Sequence, residues 1–213
     1  MADKEWTDNK ISLTKGRLEG LSDGIFAFAM TFLVITLIPG EMNSTMVFGP
    51  EIYQTLLTAF IGWVLGFLVL GAFWLDHHIQ YQPIEKIDGI FIWLNLIMLM
   101  FVSLLPFSIS FSPHYDQPML GRQIFYANIL AIGLFMLLQW IYATAGHRLV
   151  GPTLKRIEIQ KISYSISTIP VVSVLALLFV LAGYWWGGVF FLTLPFLRLG
   201  VAWMSRGWVD RGS

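Results

Sequence analysis

The chain contains no cysteine, which removes disulfides, thiolate metal sites and cysteine nucleophiles together. Charge is also scarce. Thirteen basic and thirteen acidic side chains make up 12% of the residues, about half the share in a soluble domain. They cancel to a formal net charge of zero, so the protein has no overall basic field and nucleic acid is not an expected partner. Only four histidines are present, too few for the clustered histidine motifs of a di-iron membrane oxidase. The sequence has no nucleophile beside a paired base and no glycine-rich phosphate loop in a strand-turn-helix setting. An enzyme is therefore not expected, and no cofactor or tightly bound metal is implied.

What is abundant is apolar surface. Hydrophobic residues make up 56% of the chain and aromatics 15%, with a mean hydropathy of +0.70. No compact soluble interior hides that much, so the expected solvent is lipid. A transmembrane helix needs about 20 predominantly apolar residues. Uncharged runs of that size predict an all-α integral membrane protein with helices at about 21–38, 52–75, 89–111 and 123–145. The uncharged stretch from Ile162 to Leu197 is too long for one crossing and divides into helices at about 162–183 and 187–204. The turn falls at Gly183 to Gly188, where glycines allow reversal and aromatic rings favour the headgroup level. With no repeat or linker in sight, residues 1–213 read as a single six-span domain.

Residues 1–20 are polar and lack the basic start and apolar core of a cleavable signal peptide, so the N-terminal segment is expected to be retained. Eleven lysines and arginines fall in the N-terminal segment, the 2–3 loop, the 4–5 loop and the tail, whereas the opposite side carries only Arg122. The positive-inside rule therefore predicts cytoplasmic N- and C-termini. Arg198 lies in the sixth span and reads as a structural, snorkelling residue.

The first helix is the informative one. It opens with Arg17-Leu18-Glu19-Gly20-Leu21-Ser22-Asp23, and a carboxylate at the membrane edge calls for a partner or a wet cavity unless it is simply an interfacial acid at a helix start. Arg17 and Asp23, six positions apart, lie about 240° apart around a helix and do not face each other. Partners must come from elsewhere: Trp74, Asp76, His77 and His78 on the second helix and Asn95 on the third. Consecutive residues point about 100° apart, so Asp76, His77 and His78 do not share one neighbour, and His77 is favoured for the first helix. Further along, Phe28, Thr31, Phe32 and Ile35 follow i, i+3, i+4, i+7 spacing on one stripe. Two explanations stand side by side. The stripe packs against a helix, with Thr31 bonded to a carbonyl one turn back. Alternatively it lines a pore, its apolar side chains forming a constriction that gates by dewetting and its threonines meeting a partly dehydrated ion. One helix does not enclose a pore, so this second reading requires a symmetric homo-oligomer.

Arg17-x-x-x-Leu21-Ser22-Asp23 resembles the R-x-x-x-F-S-D signature of the prokaryotic members of the transmembrane protein 175 potassium-channel family. The likeness continues through Gly24-Ile25-Phe26-Ala27, through Trp74 to His78, and through Leu94-Asn95 and Leu104-Leu105-Pro106-Phe107. It covers the first half of the chain closely; the later spans match in number and length. The resemblance implies a homotetrameric channel in which the first helix lines the central ion path, without a Thr-Val-Gly-Tyr-Gly filter, which this sequence also lacks. It implies that Phe28 falls at the constriction, with Ile35 one turn further out, and that K⁺ transits near Thr31; Phe32 joins the pore-lining stripe by spacing. It further implies that Arg17, Ser22, Asp23, Trp74, His77 and Asn95 hold the pore helix in place. Leu21 stands where the signature has phenylalanine, and Phe28 where relatives have isoleucine or leucine.

The function expected is passive, potassium-preferring conduction through a hydrophobic gate. The alternative is a proton-coupled secondary transporter using Asp23 and a second-helix histidine, with Pro170 and Pro195 breaking helices near the midplane. No inverted repeat accompanies it. Expected partners are other copies of the chain, membrane lipid and potassium ions, in a prokaryotic plasma membrane.

Overall fold

A computed structural model describes residues 14–37, 50–114, 118–184 and 186–194, with 197 and 200. The described residues are almost entirely helical. Helix α1 spans Lys15–Phe32 and tightens into a 3₁₀ segment at Leu33–Leu37. It is followed by α2 (Pro50–Tyr81), α3 (Gly89–His114), α4 (Pro118–Thr144) and α5 (Arg156–Leu181). All five are long and apolar enough to cross a membrane. Together they make a multi-pass helical membrane protein, as the apolar runs predict.

The helices outrun those apolar runs, because a helix does not stop where lipid does. α1 begins at Lys15 rather than Leu21, its polar first turns held by the Lys15–Glu19 ion pair at 3.6 Å. α2 continues beyond Leu75 to Tyr81 because Asp76, His77 and Gln80 find partners inside the bundle. The fifth span ends at the predicted turn, with Gly183 at φ +90°, a conformation that costs glycine nothing. Beyond that turn the chain departs from the expectation. Gly187–Thr193 is a 3₁₀ segment, not the first turns of an α-helix. Most of the remainder of the predicted sixth helix, Arg198 included, lies outside the described residues.

α3, α4 and α5 pack side by side as the body of the bundle, and α1 lies across α3 and α2. The main core joins Phe26, Ala29 and Leu33 of α1 to Leu70 and Phe73 of α2, Met98, Leu99 and Val102 of α3, Ile129 and Ile132 of α4, and Ile169 of α5. Between α4 and α5 the approach is close. A Cβ on Gly133 would lie 2.5 Å from Cγ of Pro170, so the glycine makes room for the proline ring.

A second cluster closes one end of the bundle and shows that three segments share it. Leu18 at the start of α1 packs with Tyr81, Ile84, Phe91, Leu149 and Val150. The 2–3 and 4–5 loops meet there through the Ile84–Val150 bridge and the Glu85 and Lys86 amides, which donate to the Leu149 carbonyl at 2.9 and 3.2 Å. The charge count puts the same three segments on one side of the membrane.

Asp88 fastens this end. Its Oδ1 caps α3 by accepting the Phe91 amide at 3.0 Å, while Oδ2 accepts the Tyr142 hydroxyl at 2.5 Å and lies 3.4 Å from Arg148 Nε. Arg148 in turn stacks over the Tyr142 ring at 4.5 Å. Partial burial alone would raise the Asp88 carboxyl, but the Tyr142 and Phe91 hydrogen bonds and the Arg148 charge together hold it below its ordinary value. A depressed folded-state value means that the contribution to stability is present above the unfolded value of 3.8 and is lost as pH falls through the folded one. Asp88→Asn is therefore expected to lower the melting temperature at neutral pH, with the gap to wild type closing as pH drops below about 4. A gap that stays constant on acidification would contradict the clamp.

Candidate functional site: the first helix and its polar anchor

α1 has two faces of different character. Leu18, Ser22, Phe26, Ala29 and Leu33 recur every three or four residues and are buried against the bundle. Phe28, Thr31, Phe32 and Ile35 lie on the other side and are exposed, Phe28 by 65% and Phe32 and Ile35 by 45% each. The rings of Phe28 and Phe32 stack at 5.2 Å, giving the exposed face a stiff aromatic step. The predicted stripe is therefore a surface of the chain, and its packing partner is not within this chain's described residues. Thr31 Oγ1 donates to the Ala27 carbonyl at 2.9 Å. That bond uses the hydroxyl proton and leaves the oxygen lone pairs pointing away from the helix.

The opposite face is held by a directional chain of hydrogen bonds. Ser22 Oγ donates to the Leu18 carbonyl at 2.9 Å, so its oxygen is left to accept. Asn95 Nδ2 on α3 donates to it at 3.0 Å. The Asn95 amide is thereby oriented, its Oδ1 facing His77 Nε2 of α2 at 3.2 Å, and because an amide oxygen only accepts, Nε2 carries the proton. Ser22 and Asn95 are fully buried, and in a lipid-embedded bundle each of these bonds replaces water that is not available. Tyr81 stacks on the far side of His77 at 4.1 Å and Phe26 packs at 5.8 Å, fixing the imidazole plane.

Asp23 sits beside this chain, exposed, and its Oδ1 accepts Trp74 Nε1 at 2.9 Å. Trp74 stacks on His78 at 5.8 Å. α2 therefore grips α1 twice, through tryptophan to Asp23 and through His77 and Asn95 to Ser22. Arg17 is exposed on the same side of α1 as Phe28, and among the described residues its guanidinium has no side-chain partner.

The Asp76-His77-His78 run divides three ways, as its 100° steps require. Asp76 turns into the bundle, where Ser165 on α5 donates to its Oδ1 at 3.2 Å; His77 turns to α3; His78 stays exposed against Trp74. The reading from sequence overlooked Gln80, Asn128 and Gln139, each buried within an otherwise apolar helix. Gln80 Nε2 donates to the Met136 carbonyl at 3.1 Å, and Asn128 Nδ2 donates to the Phe101 carbonyl and Ser108 at 3.2 and 3.1 Å. The available signal was that an amide side chain in a span needs an interhelical partner.

These features define a class: a multi-pass helical membrane protein whose first helix is anchored by polar groups on one face and bare on the other. Residues 17–106 match the family described as endosomal/lysosomal potassium channel TMEM175. A potassium channel of Chryseobacterium sp. (strain P1-3) is 33% identical over 107 residues, 49% of this chain and 53% of that protein. A potassium channel of Chamaesiphon minutus is 26% identical over 152 residues, 70% of this chain and 75% of that one. The chain thus spans about half the length of the first relative and three quarters of the second. The crystal structure of a lysosomal potassium-selective channel TMEM175 homolog from Chamaesiphon minutus superposes with a TM-score of 0.72 at 22% identity, covering 88% of this chain and 97% of that one. At that identity the likeness speaks for the fold. Phe28, Thr31 and the anchor residues all fall inside the family match.

Proposed function

We propose that the protein is a potassium-preferring channel subunit of a prokaryotic plasma membrane. It has six spans and cytoplasmic termini, and it conducts K⁺ passively as a homotetramer with α1 around the central path. The observation that carries this reading is the bare face of α1: bulky apolar side chains and one threonine, exposed on a helix whose other face is fixed. Only 22% of the most apolar stretch is buried in α1, as in α2, against 44% in α4 and α5. Four copies of that face around an axis give an apolar ring at Phe28, further rings at Phe32 and Ile35, and a ring of hydroxyl oxygens at Thr31. The apolar rings hold back water and gate by dewetting, and the Thr31 lone pairs replace part of a cation's hydration shell. Ser22, Asp23, Trp74, His77 and Asn95 keep α1 in register with its own subunit. Arg17, on the stripe side of the helix, helps to hold it in place from that side. The relatives named as potassium channels support the choice of ion.

The proton-coupled transporter has less support. Asp23 is engaged by Trp74 and His77 by Asn95, so neither bond joins the carboxylate to a histidine. The test is flux from liposomes under a K⁺ gradient and then an equal Na⁺ gradient, for wild type and Thr31→Val. Wild type is expected to pass K⁺ faster than Na⁺, and the valine variant to bring the two rates together. Conduction that needs an imposed proton gradient would overturn the proposal.

A further inference from the structure

Inside the helical bundle, Gln80 Oε1 and Gln139 Nε2 are buried side-chain atoms without a hydrogen-bond partner. Both residues are wholly inaccessible to solvent, and both belong to the α2–α4 contact. Gln80 donates through Nε2 to the Met136 carbonyl at 3.1 Å, and the adjacent Tyr81 hydroxyl lies 3.5 Å from Gln139 Oε1. Met136 and Gln139 are one turn apart on α4, so the two amides sit in one polar layer. The Gln80 amide has only one workable orientation, since turning it over would set its oxygen against the Met136 carbonyl. Its Oε1 is therefore the unpaired atom. An unpaired acceptor and an unpaired donor, each buried among apolar helices, cost free energy that a guest able to donate and accept recovers.

We infer that a structural water molecule is bound inside the subunit between α2 and α4, donating to Gln80 Oε1 and accepting from Gln139 Nε2. A cation does not fit the pair, because Gln139 presents an N–H. An apolar guest satisfies neither atom. Asp76 lies one helical turn before Gln80 on the same face of α2, its Oδ1 bonded to Ser165. The water thus extends the polar layer around a carboxylate that is otherwise buried in the bundle. This site is separate from the bare face of α1 and does not depend on the channel reading.

Hydroxyl-radical footprinting of the purified protein in lipid nanodiscs tests it, since radicals form from water inside the fold as well as outside. Met98 is as inaccessible as Met136 but lies on α3, whereas Met136 carries the carbonyl that Gln80 bonds, which makes Met98 the control. Oxidation of Met136 is expected to exceed that of Met98 several-fold, and Gln80→Leu with Gln139→Leu should bring it down to the Met98 level. Equal protection of the two methionines in wild type would overturn the inference, showing that the amides rotate and pair directly. So would Met136 labelling that the double variant leaves unchanged. The wild-type comparison decides the matter even if the double variant does not fold.

Discussion

Phe28→Ala is expected to raise potassium flux from proteoliposomes by on the order of tenfold, equivalent to lowering the barrier by about 1.4 kcal/mol. Phe28 is the most exposed of the apolar stripe residues, and its ring extends from a helix whose position is fixed by the buried face behind it. In the proposed tetramer, removing four such rings from a narrow apolar passage would widen it and let water persist there, which a dewetting gate cannot tolerate. The direction separates the pore from the alternative. If the stripe faced lipid, trimming one phenyl group would leave flux unchanged, because exposed apolar side chains in a bilayer carry no transport function. Phe28→Leu is expected to lie between wild type and alanine.

Asn95→Leu is expected to be the most damaging substitution in the anchor. It removes the donor to Ser22 and the acceptor for His77 together, leaving a hydroxyl oxygen and an imidazole N–H unpaired in a fully buried setting. A loss of stability on the order of 2 kcal/mol is expected from the cost of orphaned polar groups and the more modest values found for hydrogen bonds between membrane helices. Flux should fall as well, since α1 would no longer be held in register. Asp23 supplies the contrast. Asp23→Asn keeps an oxygen for Trp74 Nε1 and should be tolerated, whereas Asp23→Leu should not. Thermal unfolding in detergent, monitored for all three variants, checks the ranking. An Asn95→Leu protein as stable as wild type would show that the chain of bonds carries no weight.

Much of this arrangement was legible in the sequence, for reasons that differ by element. The spans stand out because lipid demands long uncharged runs, and the break at Gly183 because a run that long does not cross once. The two faces of α1 come from spacing, since Ser22, Phe26, Ala29 and Leu33 on one side leave Phe28, Thr31 and Ile35 on the other. The helix ends were less legible: Lys15 to Gly20 and Asp76 to Tyr81 are polar enough to read as loops, yet the Lys15–Glu19 ion pair and the packing of Leu18 keep the first helical, and interhelical partners the second. Hardest of all were the amides. Gln80, Asn128 and Gln139 look like isolated polar residues in apolar runs, and their importance lies in carbonyls and hydroxyls of other helices that no local pattern reveals. The same limit explains Asp76, whose bond to Ser165 joins positions 89 apart. For the run Asp76-His77-His78, periodicity established that the three diverge, and only the packing of α3 and α5 decided where each one goes.

The central claim, that the bare faces of α1 from several copies meet around an axis, is tested most directly by cross-linking. The absence of cysteine simplifies the experiment, because a single introduced thiol has no partner within its own chain. Disulfides form when Cα atoms come within about 7 Å. Phe28→Cys in native membranes is predicted to give oxidant-dependent, reductant-reversible dimers. Leu178→Cys, equally on the surface but on α5, is predicted to give none. Monomers at both positions, or equal cross-linking at both, would contradict the account.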